Sequence, residues 1–212
     1  MGKVYSREDL LRLVALAKKH NVIVISDEIH APLTYKEQPF TPLLALGEDA
    51  AEVGVAVNAA SKGWNIAGLK CAIIISQSAK MHEKLNELPP AMHYRASLLG
   101  AFATVAAFEK GELWLDTVLD QLDHNRKLIA QLIKEKIPAI GYTIPHCSYL
   151  AWLDVSKLNL GEDPGAMILE RAKVAFNPGH IYGAQGKDYV RLNFATSPEI
   201  ITEAFDRMAR AL

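Results

Sequence analysis

Two residues of this 212-residue chain stand where an amine and a carboxylate could meet one ligand. Lys62 lies in Ser61-Lys62-Gly63-Trp64-Asn65-Ile66-Ala67-Gly68-Leu69-Lys70, directly behind the apolar run 53–57. Asp27 follows a second run, Val22-Ile23-Val24-Ile25-Ser26. Both runs read as short buried strands, each with its reactive residue at the C-terminal end. A lysine leaving a strand among Ala, Ser and Gly neighbours can be desolvated and aimed at a ligand. The pairing suits a cofactor whose aldehyde needs a Schiff-base partner and whose ring needs a counter-ion.

Each position also has an ordinary reading. A lysine after a strand is usually a solvated loop residue, and an aspartate there is often a turn former or helix cap. Arg191, in Tyr189-Val190-Arg191-Leu192-Asn193-Phe194, alternates with apolar residues. It reads either as a solvent-facing strand residue or as a planar fork for a carboxylate. His30 reads as a turn residue or as a neighbour of the cofactor. Taken together, the lysine and the aspartate fit pyridoxal 5'-phosphate (PLP), whose pyridine nitrogen needs a carboxylate to keep its proton. A lysine acting as base must lose its proton near neutral pH, which desolvation and nearby cations favour. Lys70 and Arg191 are candidates to supply that charge.

The elements that must position these residues alternate. Ser6 followed by Asp9 predicts an N-cap, and Leu10, Leu11, Leu13, Val14, Leu16 and Ala17 predict the apolar face of a helix to about His20. A strand at 22–26 follows, then a mixed stretch at 30–52, a strand at 53–59, the Lys62 loop, and a strand at 71–76. A helix is expected at 78–88, stopped by Pro89-Pro90. An alanine-rich run at 96–108 predicts a buried helix ended by Gly111, and 113–136 predicts a long, partly exposed one. Beyond residue 137 come strand-like pieces at 142–145, 149–155, 174–177 and 189–194. Asp163-Pro164 and Ser197-Pro198 predict two helix starts, each a cap residue followed by Pro at the first helical position. The expected fold is α/β: a mostly parallel sheet with helices over residues 1–115, then a smaller α+β domain over 116–212. Ligands of such sheets bind beyond the carboxyl ends of the strands.

Composition narrows the alternatives. Half the chain is apolar, 22% is charged, and the formal net charge is −1. Such a balance gives no electrostatic case for nucleic acid or an anionic membrane. Cys71 and Cys147 are too far apart in sequence to form a metal-type pair, and a reduced cytoplasm suits them better than a disulfide. No metal site, secretory leader or membrane span is expected. Met1-Gly2-Lys3-Val4-Tyr5-Ser6 matches an N-myristoylation pattern weakly. No Gly-x-Gly-x-x-Gly follows a strand, which disfavours a nicotinamide domain.

Five segments carry a family resemblance. They are 2–10, Ser26-Asp27-Glu28-Ile29-His30, the Lys62 segment 61–69, Tyr149-Leu150-Ala151-Trp152-Leu153-Asp154, and Asn177-Pro178-Gly179 with 189–195. The chain resembles PLP-dependent enzymes of the class I/II aminotransferase superfamily (fold type I), and most of all the MalY/PatB-type cystathionine β-lyases, or C–S lyases. The resemblance implies that Lys62 is the Schiff-base lysine and Asp27 the partner of the pyridine nitrogen. It implies that Arg191 grips the substrate carboxylate, that Ser61 contacts the phosphate, and that Lys70 replaces a phosphate-binding arginine without its planar fork. His30 stands where aminotransferases usually carry a tyrosine, which favours the lyase branch. Ala59 stands where many carry a phosphate-binding hydroxyl.

The resemblance further implies a substrate that is a small amino acid, and a homodimer. Family members run to nearly twice this length. Gly2 matches the glycine of an Asn-Pro-x-Gly motif, with Met1 replacing the residue before it. The chain therefore looks like a C-terminal portion, expected to be nearly inactive alone and prone to self-association. Two other activities stay open at this point. One is amino transfer to a 2-oxo acid, and the other is a non-catalytic binding or oligomerising module.

Overall fold

A computed structural model describes residues 2–92 and 94–212. Met1 lies outside the described residues, so the substitution read at that position has no structural account. Contacts within the chain gather into two units, Val4–Thr117, and Val118–Leu212 with residues 2–3.

In the first unit, helix α1 spans Arg7–His20. It starts where Ser6 Oγ accepts the Asp9 N–H at 3.1 Å, and it ends at Asn21 in the left-handed region. Acidic residues in its first turn and basic ones in its last complement the helix dipole. Strand β1 is Val24–Asp27, followed by helix α2 (Glu48–Val53), strand β2 (Gly54–Asn58) and helical turn α3 (Ala60–Gly63). Strand β3 (Ile73–Ile75) and helices α4 (Ala79–Asn86) and α5 (Leu98–Lys110) complete the unit. The sheet order is β1-β2-β3. Strands β1 and β2 run parallel, with Val24 opposite Gly54 and Asp27 opposite Val57. Strand β3 is antiparallel to β2. Only single helical turns separate β2 from β3, so no crossover helix brings the chain back to the start of the sheet. Val14 and Ala17 of α1 pack on Leu43, Ala50 and Val53 against one face of this layer. Burial of a side chain such as Leu43 contributes about 1.5–3 kcal/mol.

Three local expectations differ from the structure. Val53 closes helix α2 rather than opening β2, because the preceding Glu-Asp-Ala-Ala-Glu run is a good helix former. Lys62 sits on a helical turn, not a loop, since the Trp64 N–H reaches back to the Ala60 carbonyl at 3.0 Å. Helix α5 is not buried all round. Its inward face carries Gly100, Thr104 and Ala107, while Leu98, Leu99 and Phe102 are each about 70% exposed. Small residues let one face approach closely and leave the large apolar ones outside.

The division between the units falls inside helix α6 (Glu112–Lys136). Next come strands β4 (Gly141–Tyr142) and β5 (Leu150–Asp154), helix α7 (Pro164–Ala172), strands β6 (Asn177–Pro178) and β7 (Tyr189–Asn193), and helix α8 (Pro198–Ala211). These strands form an antiparallel sheet of order β4-β5-β7-β6. Period-two alternation buries Ala151, Leu153, Val190 and Leu192 and turns Trp152 and Arg191 to the opposite face. Asp163 and Ser197 cap α7 and α8 with Pro next in line, as their sequences predict. Asn125 of α6 is fully buried; its amide donates to the Phe194 and Thr196 carbonyls at 2.9 and 2.8 Å and accepts from Gln121. Gly2, at φ +71°, accepts from the His146 and Cys147 N–H groups, and a Cβ there would lie 2.5 Å from Pro145 Cβ.

Replacing Asn125 by Leu strands two buried carbonyls and should cost about 2–3 kcal/mol in urea unfolding. Asn125→Asp should cost more at pH 7, since a carboxylate would then face those carbonyls. The exposed faces of β3 and α5 should drive self-association, read by sedimentation as species heavier than 23 kDa. A monodisperse monomer at tens of micromolar would contradict that expectation.

Candidate cofactor-binding site

Asp27 is the last residue of β1, and the backbone there is held firmly. The Glu28 N–H donates to the Val57 carbonyl at 2.9 Å, which extends the parallel ladder one step past Asp27. The Glu28 side chain is buried, and its Oε1 accepts from Ser26 Oγ at 3.0 Å and from the Leu43 N–H at 2.9 Å. The three bonds lock β1, β2 and the Leu43 turn together. Asp27 itself projects on the exposed side of the strand end, where its Oδ1 accepts the Ile29 N–H at 3.1 Å. His30 heads the short helical turn Ala31–Leu33 and is half-buried.

Strand β2 delivers Asn58 and Ala59, then the turn that carries Ser61 and Lys62. This turn is anchored at its far end, where Trp64 Nε1 donates to the Gly111 carbonyl at 3.0 Å and the indole meets Phe108 edge-on at 5.1 Å. The chain then passes through the turn Ala67–Leu69 to Lys70 in the left-handed region, φ 49°. Ser61, Lys62 and Lys70 line one cleft of about 820 Å³, together with Arg95, His82 and apolar residues including Ile73 and Ile74. Among the described residues its wall holds no carboxylate. Asn58 Oδ1, at the end of β2, is buried with no hydrogen-bond partner among them.

Arg191 belongs to the other unit. Its guanidinium lies 4.8 Å from the Tyr182 ring centroid, and Nη2 donates to Asn177 Oδ1 at 3.2 Å. Nε is buried and makes no hydrogen bond among the described residues. Burial pushes the nearby Tyr149 phenol up, and the Arg191 charge partly offsets this. Trp152, opposite Arg191 across β5 and β7, stacks on Tyr189 at 5.3 Å. The result is an aromatic-walled guanidinium with a free donor, the arrangement a carboxylate would complete.

Of the residues singled out from sequence, the cleft brings together Ser61, Lys62 and Lys70. Asp27 and His30 do not line it, although their neighbour Ile29 does. Two contributors were not read from the sequence. Glu28 looked like part of a motif, yet its partner Leu43 lies fifteen residues away. Arg95 stands in an unpatterned stretch, and only its charge next to a helix start hinted at a role.

The comparisons follow this geometry. Residues 1–208 match the family model described as aminotransferase class I and II. A protein of Mycobacterium tuberculosis described as a putative cystathionine beta-lyase is 38% identical over 228 aligned residues, covering all of this chain. Cystathionine beta-lyase PatB of Bacillus subtilis is 35% identical, again over the whole chain. The crystal structure of a putative PLP-dependent beta-cystathionase from Corynebacterium diphtheriae superposes with a TM-score of 0.93 at 39% identity, over 99% of this chain and 55% of that one. The chain spans about 55% of the length of each of these curated relatives. The family match over residues 1–208 and relatives above 30% identity along the whole chain show that it belongs to the aminotransferase class I and II family.

Proposed function

We propose that the chain is part of a PLP-dependent carbon–sulfur β-lyase. Its substrates are cystathionine or other cysteine S-conjugates, which with water yield a thiol, pyruvate and ammonia. The observation that carries this reading is the parallel β1–β2 register. It puts Asp27 and the turn bearing Lys62 at the same end of one sheet. The lyase choice is supported by the cystathionine beta-lyase and beta-cystathionase descriptions of the relatives at 35–39% identity.

The residues suit the cofactor. A cleft with Lys62, Lys70 and Arg95, serine hydroxyls and apolar walls fits a group bearing a phosphate, and the ring nitrogen would have to reach Asp27 at the neighbouring strand end, beside the lining residue Ile29. When bound, PLP supplies an electron sink for charge developing at the substrate Cα. Lys62 holds the cofactor and afterwards moves the Cα proton. Asp27 keeps a proton on the ring nitrogen, and its strand-end position, fixed through Glu28, limits its drift. His30, half-buried at the head of the turn after Asp27, would contact the cofactor. Ser61 and Lys70 bind the phosphate, and the unsatisfied Nε of Arg191 fits an α-carboxylate. We further propose a homodimer in the cytoplasm as the working form. Among the described residues no helix is long and apolar enough to cross a membrane.

At the full length of its relatives, the protein should convert cystathionine to pyruvate and a thiol without any added 2-oxo acid. A product that appears only with a 2-oxo acid, as a new amino acid, would favour transamination. Lys62→Ala should abolish turnover, and Asp27→Ala should lower kcat at least about 100-fold. An unchanged binding role in Lys62→Ala, with no turnover in the parent, would favour a non-catalytic module instead.

A further inference from the structure

Lys70 alone is a weak holder for a phosphate ester. Such a group carries close to two negative charges near neutral pH. Lys62 is committed to the amine chemistry of the proposed reaction, and a lysine at position 70 offers one point charge without a planar fork. The cleft contains one more strong cation, the exposed Arg95, and the fold ties the segment just after it to Lys70 in two ways. The Ser97 N–H donates to the Lys70 carbonyl at 3.1 Å. Gly100, in the first turn of α5, packs so tightly on the backbone that a Cβ there would lie 2.2 Å from the Leu69 carbonyl oxygen. Ser97 also caps α5, with Oγ accepting the Gly100 N–H at 3.2 Å. Residues 97–100 are thus tied to 69–71 by a hydrogen bond and by a close approach that only glycine permits, and Arg95 lies two residues before them on the wall of the same cleft.

We infer that Arg95 is a phosphate-binding residue of this cleft, supplying the second charge and the bidentate donor that Lys70 lacks. The inference rests on the proposed PLP site and adds a residue to it. Arg95 has no hydrogen bond or ion pair among the described residues, so its donors are uncommitted. Among the described residues no acid on the cleft wall competes for it. Lys70 and Arg95 then act as a pair. A lone Lys70 would leave one phosphate charge unmet, and Arg95 offsets the absent arginine from a different chain segment.

The test compares PLP with pyridoxal, which has the aldehyde and ring but no phosphate. Binding to the full 212-residue chain is read from the visible absorbance of the lysine-bound compound. Arg95→Gln should weaken PLP about tenfold and leave pyridoxal unchanged. Arg95→Lys should restore part of the loss. In a Lys70→Arg background, the same Arg95→Gln change should cost much less, because the fork is then present at position 70. Equal binding of PLP by parent and Arg95→Gln overturns the inference, and so does an equal loss for both compounds, which would mean a purely structural role. Absence of the absorbance band with either compound in the parent overturns the proposed site itself. Circular dichroism melting of each variant separates misfolding from lost binding.

Discussion

A buried carboxylate holds the geometry on which the proposed chemistry depends. Glu28 accepts from Ser26 Oγ on its own strand and from the Leu43 N–H on a turn fifteen residues on, while its backbone pairs with Val57 of the neighbouring strand. Burying an ionisable group is costly unless it is hydrogen-bonded, and here the bonds are present. In exchange, the end of β1 cannot fray from β2. Asp27 therefore stays in register with Val57, five residues before Lys62. Without that lock the two strand ends would still be close, but the lysine and the aspartate would not keep a fixed separation. The same physics operates in the second unit, where Asn125 joins α6 to the backbone beyond β7, and where Arg126 is buried against the Pro145 carbonyl and Asp123.

What could be read from the sequence was local. Caps at Ser6, Asp163 and Ser197 follow from side chains that bond their own helix starts, so nearby residues suffice to find them. The strand ends that carry Asp27 and Lys62 were legible for a similar reason, since apolar runs of that length stop at turn residues. Register was not legible. That β3 runs antiparallel depends on the path taken after Lys62, and no residue pattern encodes it. Arg95 was missed because its place is set by contacts made elsewhere, at Gly100 and Ser97. The burial of 96–108 was misjudged because a helix that is apolar all round usually faces a core. Here the small residues took the inner face, and the large ones remained outside.

Apolar surface is left exposed on the first sheet and on α5. Strands β1 and β3 are the outer strands of their sheet, with Ile25 and Ile73–Ile75 largely uncovered. The relatives are nearly twice as long as this chain. The cleft, by contrast, is built within one unit from residues 29–96, so the cationic side of the proposed site is present in the chain as it stands.

The central claim is that Lys62, and no other lysine, meets the cofactor at the sheet end shared with Asp27. Borohydride reduction of the chain after incubation with PLP, followed by peptide mapping, tests it most directly. The account predicts a single modified lysine, at position 62, with labelling suppressed when Asp27 is replaced by Ala. Modification at Lys70, labels scattered over surface lysines, or no label at all would contradict it.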